Sequence, residues 1–204
     1  VKVLCFDSDA PESGRFAYHG IDDIQCGKRV MSELAAQMNG QGKVAILAGN
    51  QTAPNLQKRT QGVREEAAQY PGITIVDTYY HKETPQDAAA KVEQVMQANP
   101  DITGWAMIGG WALFTSNALK WEPGTVKCVS VDALPAELSY LRSGHVQVLL
   151  AQRVYEWGYR SVDLLLDNIL NGNVPPNGMD ISELDRVTKD NVDEYAKNWE
   201  KWKP

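Results

Sequence analysis

The chain has 204 residues, enough for one large domain or two small lobes. Its residues are 43% hydrophobic and 23% charged, an ordinary globular balance that excludes a disordered or low-complexity chain. A net charge of −6, with Lys and Arg gathered on no helix, excludes a partner bound through a nucleic-acid backbone, and no apolar run approaches a membrane span.

The first expected element is the apolar strand Val1–Phe6, which ends abruptly in Asp7-Ser8-Asp9-Ala10-Pro11. Asp22 and Asp23 cap a helix running to about Met38, and a strand follows at Lys43–Leu47. The next helix runs from Pro54 to about Tyr70, and Ile73–Tyr79 is the next strand. Thr84-Pro85-Gln86-Asp87 supplies an N-cap, a proline at the first helical position and an acidic third residue. That helix stops before Asn99-Pro100, because proline disfavours helical geometry in the residue before it.

Gly104–Ile108 reads as a short buried strand, followed by a helix over Trp111–Lys120. The strand Val126–Val131 then ends in Asp132, a helix spans Pro135–Arg142 before Gly144, and the strand Val146–Ala151 ends in Gln152. Val154–Leu170 is an amphipathic helix followed by Gly172. The Pro-, Gly- and Asn-rich stretch 173–180 reads as a loop. A last helix, capped by Asp190 or Asn191, carries Tyr195, Trp199 and Trp202. Short strands alternating with longer helices predict the α/β class, with βαβ crossovers and doubly wound parallel sheet covered on both faces.

Ligands of open α/β sheets sit beyond the carboxyl ends of the strands. Asp7, Asp9, Asp132 and Gln152 all occupy such ends. Asp132 reads equally as the N-cap of the next helix, and Gln152 is similarly balanced. Gly49–Asn55 follows a strand and opens a helix, but it lacks the glycine spacing of dinucleotide and P-loop sites. It is rich in amides, which offer the donors and acceptors that a sugar hydroxyl requires. Arg59 lies one turn beyond Asn55 on the same helical face; alone it reads as a solvated charge. Trp111, after Gly109-Gly110, suits stacking on a sugar face or packing in the core.

Cys5, Cys26 and Cys128 have no CxxC spacing, and His19, His81 and His145 are scattered, so no metal or cofactor site is expected. The cysteines read as core residues. The chain carries no GxSxG, no HExxH and no cysteine placed beside a histidine, which argues against an enzyme.

Together, FDSDAP (6–11), YHGIDDIQCGK (18–28), NLQKRTQG (55–62), NPDITGW (99–105), VSVDALP (129–135), AQRVYEWG (151–158) and VTKDNVDEY (187–195) resemble the periplasmic sugar-binding proteins of the ribose/galactose type. These share their fold with the effector domains of LacI-like repressors. The resemblance implies a two-lobe fold, with a complete C-terminal lobe (21–152 and 181–204) and a partial N-terminal lobe (1–20 and 153–180). It implies that Asp7, Arg59, Asp132 and Gln152 are ligand residues in an interlobe cleft, completed by Asn55, Trp111 and Asp9.

Ser8 stands where ribose binders place an arginine, and Gly109 where many members have an asparagine, which implies a different or bulkier sugar. The implied activity is extracytoplasmic binding of a monosaccharide or polyol. The implied partners are the membrane permease of an ABC importer or a chemoreceptor, with no nucleic acid. The alternative is the effector domain of a LacI-type repressor. Family members carry further βα units before the FDSDAP-like strand. An upstream fragment or a second chain is therefore expected to complete the N-terminal lobe and cover the apolar stripe of the helix 154–170.

Overall fold

Hydrophobic periodicity and local caps place most of the elements in the computed structural model, which describes residues 1–202. In chain order they are β1 (Leu4–Phe6), β2 (Ala17–Gly20), α1 (Asp23–Gln37), β3 (Gln41–Ala48), α2 (Pro54–Ala67), β4 (Gly72–Tyr80) and α3 (Pro85–Ala98). Then come β5 (Gly104–Met107), a 3-10 turn at Trp111–Phe114, β6 (Lys127–Val131), α4 (Leu138–Ser143), β7 (Val148–Ala151) and α5 (Val154–Asn171). A second 3-10 turn (Pro176–Gly178), β8 (Met179–Ile181), β9 (Asp185–Val187) and α6 (Val192–Trp202) complete the described chain. Thr84 caps α3 as its spacing predicts, its hydroxyl accepting from the Asp87 N–H at 3.2 Å.

The chain divides into two compact units. The larger comprises Asp23–Ala151 and the stretch from Arg186 onward. Its sheet has the order β4-β3-β5-β6-β7-β9, and the pairs β4/β3, β3/β5, β5/β6 and β6/β7 are parallel. Successive strand residues point to opposite faces, and both faces are covered. Leu47, Trp105, Met107, Cys128 and Leu149 join one apolar core with residues of α3, α4 and α6. On the other face α1 packs against β5, β6 and β7, and α2 against β3 and β4. The strand order reverses at β3/β5, the switch point where α/β sheets open a crevice at their carboxyl ends.

The smaller unit comprises Val1–Asp22 and Gln152–Asp185. It holds a three-stranded sheet of order β1-β2-β8, with both pairs parallel. β1 and β2 are joined by Asp7–Phe16 without a helical crossover. Arg15 pins this connection, pairing with both carboxylate oxygens of Asp9 and donating to the Gly178 carbonyl at 3.3 Å.

Three expectations are corrected by tertiary contacts. Only the 3-10 turn Trp111–Phe114 forms where a helix to Lys120 is expected. Beyond it the Tyr140 hydroxyl donates to the Thr115 carbonyl at 2.5 Å and accepts from the Ala118 N–H at 2.9 Å. A side chain from α4 thus satisfies backbone groups that a helix would have paired. The stretch 173–180 is not all loop, because β8 begins at Met179 and pairs with β2. The opening strand is shorter than its apolar run, with Val1–Val3 outside the ladder.

Candidate functional site

In the larger unit the polar side chains gather at the carboxyl ends of β3, β5 and β6. α1 and α2 cross closely enough to put Asp23 against Arg59, which needs two glycines. A Cβ on Gly27 would lie 1.9 Å from the Arg59 carbonyl oxygen, and one on Gly62 would lie 2.1 Å from that of Ile24. The Arg59 side chain is only 3% exposed. Its Nε donates to Asp23 Oδ1 at 2.8 Å and its Nη1 to the Ile108 carbonyl at 3.2 Å, just past the end of β5. Burial opposes the guanidinium's charge, but the acidic groups of Cys26, Asp23 and Asp132 outweigh it and raise its pKa. Arg59 is therefore no solvated surface charge; it is a fixed cation beneath the strand ends.

Asp132 follows β6 with φ 77°, a left-handed conformation uncommon outside glycine and concentrated at functional sites. Its Oδ2 accepts from the Gly110 N–H at 3.2 Å. The half-buried carboxylate is thus held by a backbone donor on one side and by the charge of Arg59 on the other. Behind it lies Glu137, 0% exposed, whose Oε2 accepts from the Leu134 N–H at 2.6 Å. Glu137 Oε1 has no hydrogen-bond partner among the described residues. Burial and then the charge of Asp132 push the Glu137 carboxyl well above the ordinary carboxylate range.

Trp111 is half-buried, and its ring folds back over Gly109, where an added Cβ would lie 2.1 Å from the indole. A side chain at 109 would thus require the Trp111 ring to move. The ring of His81 meets Trp111 edge-on at 5.3 Å. His81 Nδ1 accepts from the Glu83 N–H at 3.0 Å, and burial lowers the imidazole pKa. Both features favour the neutral imidazole.

Of the residues singled out by sequence, the structure brings Arg59 and Asp132 together around the loop 108–110, with Trp111 next in that loop. Asn55 is half-buried in the first turn of α2. Asp7 and Gln152 belong to the smaller unit. Asp7 is left-handed (φ 60°), with its N–H donating to the His19 carbonyl and its carbonyl accepting from the Tyr18 hydroxyl. Both carboxylate oxygens of Asp9 accept from Arg15. Sequence reasoning missed Asp23 and Glu137 as parts of the site. Asp23 was legible only as a helix cap, and Glu137 has no signal outside the packed core.

All three cysteines are free, and no group of His, Cys, Asp and Glu suited to a metal occurs among the described residues. No described helix is long and apolar enough to cross a membrane.

The model for the periplasmic binding protein domain matches residues 1–173. The chain belongs to that family. An ABC transporter solute-binding protein from Burkholderia graminis, solved with D-arabinose, is 31% identical with a TM-score of 0.85; the match covers 94% of this chain and 68% of that one. GanP, a glucose-galactose binding protein from Geobacillus stearothermophilus, is 26% identical over 93% of this chain and 68% of its own, with a TM-score of 0.81. AraP, an arabinose binding protein from the same organism, is 25% identical over 96% of this chain and 70% of its own, with a TM-score of 0.80. The periplasmic binding protein fold and the family's sugar-binding character agree with the resemblance in the sequence.

Proposed function

We propose that this chain is the solute-binding component of an ABC-type importer, acting outside the cytoplasm, and that it seats a monosaccharide unit or related polyol without chemical turnover. The observation that carries this reading is the left-handed Asp132, its carboxylate accepting from the Gly110 N–H and acting on the buried cation of Arg59, with Trp111 following Gly110 in the same loop. A carboxylate so oriented accepts from sugar hydroxyls, and the Trp111 ring suits an apolar sugar face. Asn55 adds an amide. Arg59 is assigned a positioning role, because its Nε and Nη1 already serve Asp23 and Ile108. Asp7 and Gln152 are assigned as further ligand residues on their chemistry, and a permease or chemoreceptor as the reader of the bound state.

The test is a thermal-shift screen against pentoses, hexoses and polyols, followed by titration of the best ligand. A ligand that binds only the folded state raises the midpoint with dose. Asp132→Ala is expected to weaken binding by about 1–2 orders of magnitude, the effect of losing a hydrogen bond to a charged group. Silence across the panel from a folded sample would overturn the reading.

A further inference from the structure

A second polar pocket lies within the larger unit, at the carboxyl ends of β3 and β4 and beside the first turns of α2. Its volume is about 120 Å³, and its walls include Asn50, Gln51, Leu56, Gln57, Thr60 and Tyr80. Several of its polar groups are already spent. Asn50 Oδ1 accepts from the N–H and the hydroxyl of Thr52, and Gln57 Nε2 donates to the Gln51 carbonyl at 3.0 Å.

The Thr60 hydroxyl is different, since its Oγ1 is buried and has no hydrogen-bond partner among the described residues. A buried hydroxyl without a partner is unfavourable, so the site favours an occupant that completes it. Tyr80 is 38% exposed and presents a ring at the same pocket. Amides, an unsatisfied hydroxyl and an accessible aromatic ring are the chemistry of carbohydrate recognition.

The position of this pocket adds the decisive constraint. In the order β4-β3-β5-β6, the strand that ends at Tyr80 is three places from the strand that precedes Asp132. With neighbouring strands about 4.8 Å apart, those ends are separated by roughly 14 Å. A single sugar ring seated on Asp132 does not reach Tyr80, whereas a second residue linked to it does. We infer that the pocket lined by Gln57, Thr60 and Tyr80 is a subsite for the hydroxylated edge of a second sugar unit, so that the preferred ligand is a disaccharide or glycoside. This inference rests on the reading of Asp132 as the primary sugar site. It is specific to Gln57, Thr60 and Tyr80, which that reading does not use for contact.

The test is calorimetric titration of the full chain with matched pairs: galactose and lactose, glucose and cellobiose, arabinose and arabinobiose. The expected result is a disaccharide that binds at least tenfold more tightly than its parent monosaccharide. Thr60→Val, which removes the hydroxyl while keeping the shape, is expected to weaken that disaccharide about fivefold to tenfold. Tyr80→Ala, at an exposed position, is expected to do the same, and both variants should leave monosaccharide affinity unchanged. Monosaccharide binding with no gain for any disaccharide would overturn the subsite and leave the primary site standing. Equal loss for both partners of a pair would also overturn it, by placing Thr60 and Tyr80 in the primary site. Failure of every sugar to bind a folded sample would sink both readings together.

Discussion

Helices α1 and α5 read alike in the sequence, each amphipathic and each of ordinary length, yet their surroundings differ completely. α1 buries Cys26, Val30, Met31, Leu34 and Ala35 against α2 and three strands of a six-stranded sheet. α5 buries only Ser161, Leu164 and Asn168, while Tyr159, Val162, Leu166 and Ile169 are each at least half exposed. The sheet of its own unit has three strands; α5 packs against β1 and β2 there, and its Arg160 pairs with Asp180 of β8 at 2.8 Å. The difference teaches that a hydrophobic stripe specifies a face to be covered and says nothing of how much cover it finds. Of the residues discussed for the proposed sugar site, Asp23, Arg59, Asp132 and Glu137 lie in the densely covered unit.

Three measurements would sharpen or break this contrast. The largest effect is expected from Arg59→Ala. It leaves Asp23 buried without its cation, and breaking a buried pair typically costs about 3–5 kcal/mol. Denaturant unfolding would read the loss as a lower midpoint, and a loss near 1 kcal/mol would show that this pair is solvated after all.

Next comes a matched pair of truncations. Leu34→Ala, at a position with no exposure in α1, is expected to cost about 2–5 kcal/mol. Leu166→Ala, at a position half exposed in α5, is expected to stay within about 0.5 kcal/mol. Comparable losses at both positions would mean that the face of α5 is covered in solution.

The effect of Glu137 is spread over pH, and its sign is fixed by its raised pKa. The folded state holds a proton that the unfolded state releases above the ordinary carboxylate range. The stabilising contribution is therefore complete at acid pH and is lost as pH rises toward the folded value, by at most about 1.4 kcal/mol per pH unit. Glu137→Gln is expected to flatten that slope and to be relatively more stable at alkaline pH. An unchanged slope would show that Glu137 is not the titrating group.

The legible parts of this protein are those governed by short-range rules. The Thr84 cap, the end of α3 before Pro100 and the alternation of buried strands in the larger unit follow from local chemistry and periodicity. The candidate carboxylate Asp132 was visible because it ends an apolar strand. Its partners were not, because Gly110 and Arg59 reach it from distant parts of the chain.

Asp9 shows the same limit from the other side. Its place after β1 suggests a ligand group, yet Arg15 takes both oxygens, and only the folded connection puts that guanidinium there. β8 and β9 are three residues each, too short for a period to show, and they become strands because β2 and β7 offer them an edge. By itself, then, the sequence determined the α/β class, the order of the long elements and the chemistry available at the strand ends. Tertiary structure alone decided which polar groups are spent on one another and which are left for a ligand. That division depends on desolvation and on contacts between residues far apart in the chain, and neither leaves a local signature.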